Sequence, residues 1–116
     1  MKTLEKMFET QKEFSGHWKN FDSMNDKQKE DTTNDFLLDL YDEVSEIRRA
    51  NNSKAWKKTA DKDMIAEEVG DAFAYLVSIC HCYGISADTF ANTYFNKMEL
   101  NEQNYNRRED EKRRTI

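Results

Sequence analysis

Not one proline interrupts the 116 residues of this chain, and its three glycines stand at positions 16, 70 and 84. Proline and glycine are the strongest local breakers of helices, so this punctuation suits long helices with short connections. Four segments then follow the helical period. The first runs from Thr3 to about Gly16, with Leu4, Met7, Phe8 and Phe14 as its apolar positions. The second starts near Asp26 and reaches Asn51, carrying the stripe Phe36, Leu37, Leu40, Tyr41, Val44 and Ile47. The third begins at Thr59 or Asp61 and ends at Tyr83, with Met64, Ile65, Val69, Phe73, Leu76, Val77 and Ile79 among its apolar residues. It is the most apolar segment and therefore the most buried. Gly84 fits the position just past its end. Ser86 fits the N-cap of a fourth helix through Phe90, Tyr94, Met98 and Leu100. The expected fold is all-α, an antiparallel four-helix bundle. The third helix is apolar around more of its circumference than one bundle face needs, so a helical interface between two copies is expected.

Aromatic residues make up 12% of the chain, which argues against disorder. No apolar run approaches the roughly 20 residues of a membrane span. The N-terminus "MKTLEKMFETQKEF" lacks the apolar core of a signal peptide, so a cytoplasmic location and no membrane partner are expected. A net charge of −5 with no basic stripe makes nucleic acid a poor partner. The tail "RREDEKRRTI" interleaves its bases with acids, which reads as a solvated helix end or a frayed terminus. Residues 1–106 are taken as one domain and 107–116 as a charged tail. Cys80, His81 and Cys82 are consecutive, hence about 100° apart on a helix, and cannot chelate one ion. They read as core packing, as do Trp18 and Phe21. His17 has no evident partner.

The costly feature is acidic. "LYDEVSEIRRA" places Glu43 on the edge of the second apolar stripe, in line with Phe36, and Glu46 three residues on. "AEEVGDAFAYL" repeats that spacing with Glu68 and Asp71 on one flank of the third stripe, Glu68 nearer the core. Helices packed through their stripes would bring the four carboxylates face to face. Like charges that close raise each other's pKa, and a hard divalent cation resolves the conflict. One such pair alone is an ordinary solvated pattern; two pairs, each bordering an apolar stripe, are more specific. Gly70 beside them costs about 1 kcal/mol relative to alanine, which points to close backbone approach.

The run "EVSE", 21 residues and then "EVGD" resembles the E-x-x-E…E-x-x-D signature of the all-α nucleoside triphosphate pyrophosphatases. These include the dimeric dUTPases, the MazG-like enzymes and the dCTP pyrophosphatases. "EIRRANNSKAWK" and the glutamine in "LEKMFETQKEF" look most like the dUTPases, whereas "EEVGDAFAYLV", "NKMELN" and "HWKNF" look closer to the MazG-like and dCTP enzymes. Ala74 stands where dUTPases often have His, Met98 follows Lys97 where they usually have Asn, and their long helical insertion is missing.

The resemblance implies cleavage of a nucleoside triphosphate, dUTP foremost, to the monophosphate and pyrophosphate. It implies Mg²⁺, with Mn²⁺ as a substitute, held by Glu43, Glu46, Glu68 and Asp71, with Glu46 alternatively acting as general base. Lys97 would hold phosphate oxygens and Asn101 would add hydrogen bonds. Gln11 would read a base edge, and Trp56 would cover the sugar or base. Each has a plainer reading: Lys97 and Gln11 as solvated residues, Trp56 as an anchor of its loop. A homodimer, or dimers paired into tetramers, completes the expectation. The alternatives are a MazG-like or dCTP enzyme of different base preference, or a non-catalytic helical module that regulates or binds a partner.

Overall fold

The computed structural model of the chain describes residues 3–51 and 61–114. They form four α-helices: α1 (Leu4–Ser15), α2 (Asp26–Asn51), α3 (Lys62–Cys82) and α4 (Ala87–Arg114). A short 3-10 turn, Phe21–Ser23, lies between α1 and α2. No strand occurs among the described residues, so the expected all-α class holds.

Each helix start is set by a side chain that accepts orphan backbone N–H groups. Thr3 Oγ1 accepts from the Lys6 N–H at 3.2 Å. Asn25 and Gln28 form a reciprocal capping pair at α2: Asn25 Oδ1 accepts from the Gln28 N–H and Gln28 Oε1 from the Asn25 N–H, both at 2.9 Å. Asp61 Oδ1 accepts from the N–H groups of Asp63 and Met64. Ser86 Oγ accepts from the Thr89 N–H at 3.1 Å. The end of α3 is a Schellman turn: the Gly84 N–H reaches the His81 carbonyl and the Ile85 N–H reaches the Cys80 carbonyl.

The glycines give a paired stability prediction. Gly84 sits at φ +65°, and a Cβ there would touch nothing within 4 Å, so the only cost of a side chain is the left-handed backbone. Gly84→Ala should therefore lower stability by about 1 kcal/mol. Gly70 lies mid-helix, and a Cβ there also meets nothing within 4 Å. Among the described residues no backbone approaches Gly70 closely, and Gly70→Ala should raise stability by up to about 1 kcal/mol. Thermal melts of the two variants check both signs.

Residues 1–85 and 86–116 are two compact units. In the first, α2 and α3 pack along each other, and α1 and the 3-10 turn pack on α3. The core is small: Phe8, Phe21, Ala50, Val77 and Cys82 are buried. The His81 ring is half-buried between Phe8 and Phe21, with both centroids at 5.6 Å. Burial, reinforced by the Lys12 charge, pushes its pKa down. Cys80 and Cys82 are free thiols, and burial pushes both up. The core reading of Cys80–His81–Cys82 is therefore how these residues are used. Packing by α1 and α3 leaves Leu37, Tyr41 and Val44 of the α2 stripe exposed, along with Val69 and Leu76 of α3. The second unit is α4 itself, which carries exposed Tyr94, Phe95, Met98, Leu100 and Tyr105 and runs through the charged segment to Arg114. Among the described residues no helix is long and apolar enough to cross a membrane.

Candidate metal centre and adjoining cleft

The packing of α2 on α3 brings three of the four expected carboxylates together. One carboxylate oxygen each from Glu43, Glu68 and Asp71 lie within 4.8 Å of one another. Glu43 and Glu68 are half-buried and Asp71 is exposed. Glu43 Oε2 is buried with no hydrogen-bond partner. Burial pushes the Glu43 carboxyl up to about 7, helped by a proton-sharing contact with Glu68 and by the charges of Asp71, Glu68 and Glu46. A buried, unpartnered oxygen in an all-carboxylate set is the environment a hard divalent cation satisfies, so these residues fit one.

Glu46 is placed differently. Its Oε1 takes the guanidinium of Arg49, one turn on, in an ion pair along α2. It is close enough for its charge to raise Glu43, but it is not among the three clustered oxygens. The i, i+3 spacing that aligned Glu46 with Glu43 also aligned it with Arg49.

A cleft of about 450 Å³ opens beside the carboxylates. Three helical stripes build it. α3 supplies Asp71, Ala74, Tyr75 and Ser78, at i, i+3, i+4 and i+7; α1 and the turn after it supply Gln11, Phe14, Ser15 and Trp18 at the same spacing; α2 supplies Phe36 and Glu43. From Asp71 to Ser78 is about 10 Å along the helix axis, so acid and hydroxyl mark two ends of one face. Burial pushes the Tyr75 phenol up, as do the nearby carboxylates of Asp39, Glu43, Asp71 and Asp42.

Gln11 therefore lines the same cleft as the acids. Its Nε2 donates to Ser15 Oγ at 3.0 Å and to Ser78 Oγ at 3.4 Å. Trp18, expected in the core, is instead 69% exposed. It stands edge-on to Phe14 with centroids 5.0 Å apart, and His17 packs edge-on against both rings. Phe21, three residues on, is the one of the two in the core, 5% exposed, its ring tilted 35° to that of Phe36 with centroids 6.5 Å apart. Phe14, Ser15, Phe36, Tyr75 and Ser78 were not singled out from sequence as cleft residues. The repeated i, i+3, i+4, i+7 stripe of Gln11 through Trp18 was the available signal.

Lys97 and Asn101 stand one turn apart on one face of α4, both exposed. Their helix is a compact unit of its own. Trp56 lies outside the described residues.

A family model described as the MazG nucleotide pyrophosphohydrolase domain matches residues 31–104. The span includes Glu43, Glu46, Glu68, Asp71, Lys97 and Asn101 but begins after α1, so Gln11, Ser15 and Trp18 lie outside it. No curated protein and no solved structure matches the chain.

Proposed function

The chain belongs to the MazG nucleotide pyrophosphohydrolase domain family, and from that premise we propose that it hydrolyses a deoxynucleoside triphosphate to the monophosphate and pyrophosphate with Mg²⁺, or Mn²⁺ in its place. The general activity, a hydrolase acting on nucleotides, comes with the family. The observation that carries the fuller reading is the trio Glu43, Glu68 and Asp71, converging around an unpartnered buried oxygen at the wall of an aromatic cleft.

In this reading Glu43, Glu68 and Asp71 would hold the cation, whose chemistry would be to offset triphosphate charge and lower the pKa of water. Glu46 accepts the proton of the attacking water, once its pairing with Arg49 opens. That water's oxygen bonds to phosphorus as the bridge between the α- and β-phosphates breaks, and pyrophosphate leaves. Phe14 and Trp18 offer faces on which a base or sugar can rest. By the family resemblance, Lys97 and Asn101 would take phosphate oxygens and Trp56 would cover the sugar or base. The similarity of α2 to the dimeric dUTPases points to dUTP; that of α3 to the dCTP and MazG-like enzymes points to dCTP or a broader choice.

The uncovered apolar residues of α2 and α3 support a homodimer, or dimers paired into tetramers. A net charge of −5 supports a nucleotide rather than nucleic acid as partner, and we place the protein in the cytoplasm. With Mg²⁺, the protein should release pyrophosphate from at least one member of a panel of standard and modified dNTPs. A folded protein that turns over none of them would overturn the proposal.

A further inference from the structure

His81 ties α1 and the 3-10 turn to α3 with a side chain whose charge can change near neutral pH. Its ring lies edge-on to Phe8 of α1 and tilted to Phe21 of the turn, with both centroids at 5.6 Å. Both phenylalanines are 5% exposed, so the ring meets them out of solvent. The backbone of Phe8 hydrogen-bonds to the ring. That bond falls to Nε2, because Nδ1 is buried with no partner. The neutral ring needs only its one proton, on Nε2. A second proton must go to Nδ1, where it leaves a charged N–H without an acceptor between two phenylalanines. Attraction to the ring faces replaces only part of the water that is lost. The charges that act on the ring are Lys12 of α1, which opposes a second proton, and Asp22 of the turn, which favours it. Asp22 is already paired with Lys12 at 3.2 Å. On α3 the neighbouring thiols of Cys80 and Cys82 are held protonated by burial, and among the described residues no charge of α2 acts on the ring. Burial and Lys12 prevail and hold the pKa of His81 below the ordinary 6.5.

We propose that His81 is an acid-operated latch: taking a proton, it frees α1 and the 3-10 turn from α3 and removes one wall of the cleft, while the carboxylates of α2 and α3 stay together. What the segment carries makes the release local. Gln11, Phe14, Ser15 and Trp18 line the cleft from α1 and the residues after it. Among the described residues, the side-chain hydrogen bonds from this segment to α3 are long, Gln11 Nε2 to Ser78 Oγ at 3.4 Å and Ser15 Oγ to Ser78 Oγ at 3.5 Å. Glu43, Glu68 and Asp71 belong instead to α2 and α3, which pack along each other. Opening gives His81 back to water and to its ordinary 6.5. The closed form then binds fewer protons than the open form between its own lower pKa and 6.5. The latch is therefore fully closed above about 6.5, and each pH unit below that favours opening by up to about tenfold, until the closed-form pKa is passed. The latch needs no nucleotide; that the wall it releases belongs to a nucleotide site rests on the proposed reaction.

The test is amide hydrogen exchange of the full chain by NMR, without nucleotide and with a chelator, corrected for the pH dependence of exchange itself. Between pH 7.5 and 5 the protection of residues 8–15 should fall about tenfold or more, while the α2 and α3 amides around Glu43 and Asp71 change less than about threefold. The nitrogens of the His81 ring, followed in the same samples, should take up their proton over the interval in which α1 opens. His81→Gln can still donate to Phe8 but cannot be charged, and His81→Phe keeps an aromatic ring; in either, α1 protection should stay within about threefold across the range. Loss of protection in α1 and α3 together is global acid unfolding and overturns the latch. So does an α1 that keeps its protection at pH 5, one that loses it while the His81 ring stays neutral, or the same loss in a folded variant. The comparison of α1 with α3 reads the wild-type protein alone and does not depend on either variant folding. Pyrophosphate release at pH 7.5, with the latch closed, judges the proposed reaction separately.

Discussion

Glu43→Gln should cost about three powers of ten in pyrophosphate release and, in the metal-free protein, raise thermal stability at pH 7.5. Both effects have one origin. Glu43 is the most burdened of the clustered acids, half-buried, with an unpartnered Oε2 and like charges at Glu68, Asp71 and Glu46. Its carboxyl is pushed from 4.5 up to about 7. The folded state therefore holds a proton between those pH values that the unfolded state has released. Stability falls with pH wherever the folded state binds more protons. The Glu43 contribution is fully present below about 4.5, is lost as pH rises through about 7, and stays lost above it. Glutamine keeps the shape, carries no charge, and can donate from its amide to Glu68 or Asp71. The variant should melt near the wild-type temperature at pH 4.5 and several degrees above it at pH 7.5, both without metal. Turnover moves the other way, since the lost carboxylate is a proposed ligand; a thousandfold is some 4 kcal/mol of barrier. A melt at pH 7.5 that is unchanged or lower, or turnover within tenfold of wild type, contradicts this account of Glu43.

Much of the fold is legible because its punctuation is local. Asp26 and Asn51 bound α2 as the periodicity requires, and Ser86 and Gly84 act as the cap and the left-handed turn that their residue types suggest. Such signals need only neighbours a turn away. The acidic trio is legible for a similar reason, since each member borders a stripe that must pack. What is not legible depends on choices between equivalent partners. Glu46 has Glu43 three residues before it and Arg49 three after, and periodicity does not rank the two. Trp18 and Phe21 both read as core residues, and the 3-10 turn that buries Phe21 carries no periodicity from which to tell that Trp18 stays exposed. Glycine in a helix is costly, so Gly70 reads as a contact site, yet among the described residues nothing lies within 4 Å of a Cβ placed there. The Gln11 chain of hydrogen bonds spans residues 11 and 78, a separation at which one sequence offers no direct signal.

Removing divalent cation should be the most damaging change of all, taking turnover to background and lowering the melting temperature at pH 7.5. Three carboxylates that face one another repel, and in the folded metal-free protein nothing among the described residues satisfies Glu43 Oε2. A ligand that binds the folded state alone stabilises it by RT ln(1 + [L]/Kd), about 1.4 kcal/mol at ten times Kd and about 2.7 at a hundred times. For a chain of this length each kilocalorie moves the melting temperature by about 4 °C. Restoring Mg²⁺ after a chelator should therefore raise the melt by roughly 6 °C near ten times Kd. The gain should shrink as pH drops below 7, because a proton on Glu43 must leave before the carboxylate can ligate. Glu43→Gln separates this from a general salt effect. It has lost the proposed ligand as well as the repulsion, so Mg²⁺ should shift its melt far less than the wild type's. An equal Mg²⁺ shift in both proteins would place the stabilising ion elsewhere and remove the trio from the reaction.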